Sequence, residues 1–206
     1  VMSLELAKQF PEVDTFNLGG GYKVARVEGE TGTDLQTIGV PVKEAFERFA
    51  AQTGRKLRLE IEPGTFLVAN TCALLCKVQD IVRTSTRLFY KLDSGMTDIL
   101  RPSLYGAQHP IRVYSSLPNA EMKKVVVVGH CCESGDLLTP APGEPETINE
   151  RDLPQAQIGD LCVIGGVGAY CAAMCAKNYN SFPESAEALI TKNGDPILIR
   201  KRQTLE

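Results

Sequence analysis

The sequence has only two histidines, His109 and His130, and none of its seven cysteines stands in a C-x-x-C pair. A zinc site closed by paired thiolates and imidazoles is therefore not expected, and no metal is assigned. The cysteines fall as Cys72 and Cys76, Cys131 and Cys132, then Cys162, Cys171 and Cys175, an odd set without a disulfide framework. Reduced thiols in a reducing compartment fit that pattern. A basic stripe is missing too: the net charge is −3 with acids and bases interspersed, which argues against nucleic acid as a partner. Long apolar runs are absent as well. Val125 to Val128 is too short and Leu161 to Ala173 too glycine-interrupted to span a bilayer, and no charged-then-apolar leader opens the sequence as it stands. The expectation is a cytoplasmic protein whose partners are small molecules or protein, with no membrane contact.

What is present suits a folded core: 206 residues, 43% of them hydrophobic, enough for one large domain or two small ones. The pattern changes near residue 70. Before it, strand-like Asp14 to Leu18 leads into glycines, and Pro41 to Thr53 carries Val42, Phe46, Phe49 and Ala50 on one helical face, with Pro41 in the first turn. Leu57 to Ile61 then reads as a second strand, completing the alternation of parallel α/β packing. Beyond it, short β-rich runs separated by turns predict an antiparallel β-domain: Phe66 to Ala69, Cys76 to Val82, Arg87 to Leu92, Ile111 to Tyr114, Lys123 to Val128 and Asp160 to Ile164. Pro140 to Pro145 reads as a surface loop, and Val167 to Asn178 as a helix ended by Tyr179 to Pro183.

Several segments carry chemistry. Gly129 to Asp136, Gly-His-Cys-Cys-Glu-Ser-Gly-Asp, sets a thiol beside a carboxylate on a flexible turn. A free thiol has a pKa of about 8.5 and can donate a proton at neutral pH, which makes Cys132 a candidate acid. Glu133 can hold a cationic substrate end, while the plainer alternative is a small buried cysteine in an ordinary turn. Gly19, Gly20 and Gly21 follow a strand, where backbone amides can approach a phosphate closely; triple glycines also occur in plain loops. Glu62, before Pro63-Gly64, stands where barrel strands end and functional side chains gather, or is a solvated turn residue. Arg101 and Tyr105, four residues apart, can bind a carboxylate or lie idle on the surface. Tyr170 offers either a functional hydroxyl or an aromatic core ring, and both histidines read as structural.

Five segments in this order resemble the carboxy-terminal half of the diaminopimelate decarboxylases. They are Asn17 to Gly21, Glu62-Pro63-Gly64, Asp93-Ser94-Gly95-Met96 to Tyr105, Cys132 to Asp136, and Gly168-Ala169-Tyr170 with Asn178-Tyr179-Asn180. That family belongs to the pyridoxal-phosphate (PLP) decarboxylases, built from an alanine-racemase-like (β/α)8 barrel and an antiparallel β-domain. The resemblance runs from about Phe16 to Asn180. It implies the last part of the barrel over residues 1–69 and the β-domain over 70–206, with a returning helix near 167–178.

By the same resemblance the intact protein decarboxylates a basic amino acid, with meso-diaminopimelate to L-lysine first in line. PLP would be held by Gly19, Gly20, Gly21, Glu62, Gly64, Thr65 and Tyr170, and substrate by Arg101, Tyr105, Glu133 and Tyr170, with Cys132 as the proton donor. A carboxylate such as Glu62 at the pyridine nitrogen strengthens the cofactor as an electron sink. The family's cofactor lysine lies earlier in the barrel, and neither Lys23 nor Lys91 has its context, so this stretch alone is not expected to catalyse. A homodimer with shared active sites is also implied. One position departs: the family's arginine after Glu-Pro-Gly is Thr65 here. A lost charge-assisted contact of about 1.5–3 kcal/mol shifts preference roughly tenfold or more, so D-lysine or D-ornithine decarboxylation is an alternative. A non-catalytic regulatory homologue is another.

Overall fold

The computed structural model describes residues 2–205 and comprises two compact units that meet in sequence between Val68 and Ala69. The first contains α1 (Met2–Ala7), β1 (Thr15–Asn17), α2 (Leu35–Thr53), β2 (Arg58–Glu60) and α3 (Gly64–Val68). Strands β1 and β2 pair in parallel with Phe16 opposite Leu59, and α2 makes the crossover between them. Asp34 starts α2: its backbone is extended and its side chain accepts the Gln36 amide hydrogen at 2.9 Å. The helix therefore begins at Leu35 instead of Pro41, and Pro41, exposed, sits inside it. Gly54 ends it in the left-handed region at φ 70°, returning its N–H to Ala50. The small core gathers around buried Phe49, Leu4 and Ala7, with the Phe16 and Phe46 rings edge to face at 6.3 Å.

The second unit opens with a 3₁₀ turn (Ala69–Thr71) and continues through β3 (Ala73–Arg83), β4 (Leu88–Leu92), the short helix α4 (Arg101–Tyr105), β5 (Ile111–Tyr114) and β6 (Met122–Val128). A small hairpin of β7 (Pro140–Ala141) and β8 (Glu144–Ile148) precedes β9 (Arg151–Pro154) and β10 (Leu161–Gly165), and a hairpin of β11 (Glu187–Ile190) and β12 (Pro196–Arg200) comes last. Six strands form one sheet in the order β5-β10-β3-β4-β6-β9, and its two edge strands come into contact, so the sheet curls towards a barrel. Val78, Tyr90, Leu92, Val125, Val127 and Ile164 fill it. Tyr90 is buried yet satisfied, donating to the Pro154 carbonyl at 3.1 Å and accepting from the Ala156 amide at 3.0 Å.

Four of the sheet's pairings are antiparallel, as the turn-separated runs imply; β4 and β6 run parallel, with Tyr90 opposite Val127. Two expectations fail outright. Phe66 to Ala69 is not a strand but lies in α3 and the following 3₁₀ turn, since Pro63 starts a helical turn and its carbonyl accepts the Leu67 amide at 3.2 Å. No helix forms over 167–178, which is a run of turns. Tyr170 and Asn178 there take left-handed backbone at φ 57° and 62°, which breaks the repeating helical hydrogen bonds, and Asn180 and Ser181 just beyond do the same at 51° and 61°.

Candidate active site

In the first unit the glycine turn and Glu62 lie side by side just past the carboxyl ends of β1 and β2. The Leu18 amide donates to the Glu60 carbonyl at 2.9 Å and the Glu62 amide to the Gly19 carbonyl at 2.8 Å. Asn17 is the hinge: its Oδ1 accepts the Gly19 amide at 2.6 Å and its Nδ2 donates to Glu62 Oε1 at 2.9 Å. Gly19 and Gly21 have φ of 71° and 90°, and open space lies where their side chains would be. At Gly20 a Cβ would run into the Glu62 carbonyl, so the turn cannot pack this closely with any other residue. The Gly20 and Gly21 amides make no hydrogen bond among the described residues. Free amides on a left-handed glycine turn, with an anchored carboxylate beside them, fit a phosphate-bearing, ring-nitrogen cofactor such as PLP. Gly64, donating to the Glu62 carbonyl at 2.9 Å, and half-buried Thr65 continue from the same turn into α3.

In the second unit β6 delivers the Gly129 to Asp136 loop. The Gly129 amide donates to the Asp136 carbonyl at 2.8 Å and the Asp136 amide to the Glu133 carbonyl at 3.1 Å, closing the loop on itself. The buried Asp136 carboxylate fastens it, accepting the Met96 amide at 2.7 Å and the Cys131 amide at 2.9 Å. Neighbouring cysteines diverge. Cys131 is half-buried, and burial, ahead of Asp136, pushes its thiol up to about 12. Cys132 is exposed, and its amide donates to Asn180 Oδ1 at 2.9 Å. Glu133, also exposed, accepts the Gly135 amide at 2.9 Å on Oε1 and the Tyr179 hydroxyl at 3.3 Å on Oε2. The Gly135 amide chiefly, with help from Tyr179 and Ser134, holds its carboxyl below the usual glutamate range, so it is charged at neutral pH.

Arg101 and Tyr105 share α4, with the guanidinium 5.9 Å from the ring centroid. Arg101 Nε is buried with no hydrogen-bond acceptor among the described residues. Tyr170 follows β10 on its left-handed turn with an exposed ring. The structure thus joins Gly19, Gly20, Gly21, Glu62, Gly64 and Thr65 in one unit. In the other it joins Cys132 with Glu133, and Arg101 with Tyr105; no hydrogen bond ties Tyr170 to either pair among the described residues. Sequence reasoning missed the roles of Asn17, Asp136, Tyr179 and Asn180, all of which stood inside the quoted motifs.

His130 stacks on Phe182 at 3.5 Å between ring centroids and shares a 2.7 Å hydrogen bond with Thr97, a structural role as expected. A cavity of about 490 Å³ opens beside it, lined by Lys91, Asp93, Asp98 and Phe182 among others and by none of the expected site residues. Among the described residues no group of three His, Cys, Asp or Glu side chains is placed to hold a metal, and no helix is long and apolar enough to cross a membrane.

Residues 13–168 match the family model of the pyridoxal-dependent decarboxylase C-terminal sheet domain. The chain belongs to the pyridoxal-dependent decarboxylases. It is 37% identical over 199 residues to the diaminopimelate decarboxylase of Escherichia coli K12, covering 95% of this chain and 46% of that protein. A crystal structure of diaminopimelate decarboxylase superimposes with a TM-score of 0.89 at 36% identity, covering 98% of this chain and 48% of its own. The Helicobacter pylori diaminopimelate decarboxylase complexed with L-lysine superimposes at 0.82 with 31% identity, covering 99% and 47%. The chain therefore spans about half the length of the relatives it matches. The β/α unit followed by a sheet domain, expected of this decarboxylase family from its five motifs, is the fold these relatives share.

Proposed function

We propose that the intact protein is a PLP-dependent decarboxylase of a basic amino acid, taking meso-diaminopimelate to L-lysine. The observation that carries the reading is the exposed Cys132-Glu133 pair, a thiol next to a carboxylate held in its charged form. Membership of the pyridoxal-dependent decarboxylases and the likeness to diaminopimelate decarboxylases support it.

PLP, when bound, supplies a sink for the electron pair left behind as carbon dioxide departs. The Gly20 and Gly21 amides would hold its phosphate, with Gly19 setting the turn, and Gly64 and Thr65 completing the grip. Glu62, fixed by Asn17, would pair with the ring nitrogen. Cys132 Sγ carries the proton returned to the substrate α-carbon. Glu133 binds the ammonium of the reacting α-carbon's distal counterpart, and Arg101, whose buried Nε has an open donor, binds the distal carboxylate with Tyr105 beside it. The Cys132-Glu133 pair would act across a homodimer, completing the partner subunit's site. All seven cysteines are free thiols, which suits the cytoplasm.

Thr65 favours a second reading. With threonine in place of the family's arginine, D-lysine or D-ornithine, which lack the distal carboxylate, become competing substrates. Both readings are tested by carbon dioxide release from meso-diaminopimelate, D-lysine, D-ornithine and L-ornithine by the intact protein with PLP. Dominant release from meso-diaminopimelate supports the first and dominant release from a D-diamino acid the second. PLP binding without release from any of the four means a non-catalytic homologue.

A further inference from the structure

The Asn178 to Phe182 segment touches three of the four residues from His130 to Glu133. Asn180 Oδ1 accepts the Cys132 amide at 2.9 Å, the Tyr179 hydroxyl donates to Glu133 Oε2 at 3.3 Å, and the Phe182 ring lies parallel to His130, tilted by 4°, at 3.5 Å. The two hydrogen bonds bridge 48 and 46 residues of sequence. The backbone that makes them is strained. Asn178, Asn180 and Ser181 all take left-handed torsions, which asparagine tolerates and serine rarely adopts. Non-glycine residues hold such torsions only where their surroundings over-determine them, and here the surroundings are the thiol and carboxylate loop.

We infer that Asn178 to Phe182 is a latch in which Tyr179 and Asn180 are positioning residues for the Glu133 carboxylate and the Cys132 thiol. The inference rests on the decarboxylase reading above. Its logic follows from the donors and acceptors. Gly135 occupies Glu133 Oε1 and Tyr179 shares Oε2, so the carboxylate plane is set before a substrate ammonium arrives. Burial, then the charge of Glu133, push the Tyr179 phenol up, so it remains a protonated donor at neutral pH. Asn180 fixes the Cys132 backbone, which limits where Sγ can point. A single segment thereby sets the separation between the group that reads the distal ammonium and the group that returns the proton.

The test uses the intact protein with PLP and three variants. Tyr179→Phe removes one hydroxyl from an exposed ring, and is expected to raise KM for the diamino acid about 3- to 10-fold with kcat within about twofold, the value of one hydrogen bond. Asn180→Ala is expected to lower kcat about tenfold or more with the smaller effect on KM, and Asn180→Asp, which keeps an acceptor oxygen, to restore kcat to within about threefold. Hydrogen–deuterium exchange without substrate gives a second readout: the Cys132 amide exchanges about tenfold faster in Asn180→Ala and at the native rate in Asn180→Asp. Native exchange and native kinetics in both Tyr179→Phe and Asn180→Ala overturn the latch, as does an Asn180→Asp variant as impaired as the alanine. If the wild type releases no carbon dioxide from any diamino acid, the functional reading fails, and the exchange measurement still decides the latch.

Discussion

Asp136 holds Met96: its Oδ1 accepts the Met96 amide hydrogen at 2.7 Å across 40 residues of sequence, joining the loop after β6 to the turn before α4. Its Oδ2 takes the Cys131 amide, and Gly95 and Gly129 crowd the same carboxylate so closely that a Cβ on either would overlap it. Asp136→Ala leaves two amides without their acceptor in a buried site. At about 1–3 kcal/mol for each unsatisfied group, the second unit should lose roughly 2–6 kcal/mol. Gly129→Ala should be destabilising as well, because the clash is with a fixed carboxylate and not a flexible chain end. Chemical denaturation of the intact protein checks both; midpoints within error of wild type would contradict the account.

The two adjacent cysteines should differ sharply. Cys132→Ala is expected to lower kcat by about 10²- to 10⁴-fold, the usual range for loss of a proton-transfer group. Cys131→Ala should leave kcat within about threefold, since the backbone amide of Cys131 keeps its bond to Asp136 and the thiol is pushed up to about 12, by burial first and then by Asp136. Steady-state kinetics of the two variants separate them, and equal losses would count against the assignment.

Thr65→Arg should raise the preference for meso-diaminopimelate over D-lysine by roughly tenfold or more, by adding a charge-assisted contact of about 1.5–3 kcal/mol. The ratio of the two kcat/KM values is the measurement. An unchanged ratio would show that position 65 does not read the distal carboxylate.

His130 gives stability a pH dependence. Burial, outweighing the carboxylates of Asp136, Asp98 and Asp93, holds its imidazole below the ordinary histidine range, and Lys91 acts in the same direction as burial. As pH falls through about 6.5 the unfolded chain takes up a proton that the folded chain refuses. This contribution is fully present above the unfolded pKa, is lost as pH falls towards the folded one, and then stays lost. His130→Phe keeps a ring on Phe182 but cannot titrate. The Tm of wild type should fall more steeply than that of His130→Phe between pH 7.5 and 5.5; parallel curves would contradict the assignment.

The alternation of Phe16, the Val42-to-Phe49 helical face and Leu59 made the first unit legible, and runs such as Ile111 to Tyr114, whose bounds match β5, did the same for the second. Local chemistry hid the rest. Phe66 to Ala69 has strand composition, and its turn into α3 starts with the bond from Leu67 back to Pro63. Small residues over 167–178 suit a helix, but the left-handed torsion at Tyr170 is set by surroundings that periodicity does not carry. Within the site, the thiol and carboxylate were visible because reactive residue types advertise themselves. Asp136 and Asn180 were not, because each acts by accepting a backbone amide from a distant segment, and only the folded chain shows which amide.

The central claim is tested most directly by following carbon dioxide release from meso-diaminopimelate by the intact protein with PLP, wild type beside Cys132→Ala. The account predicts release with L-lysine as product for the wild type, and a rate at least about 100-fold lower for the variant. No release from meso-diaminopimelate, D-lysine or D-ornithine, or equal rates for wild type and variant, would contradict it.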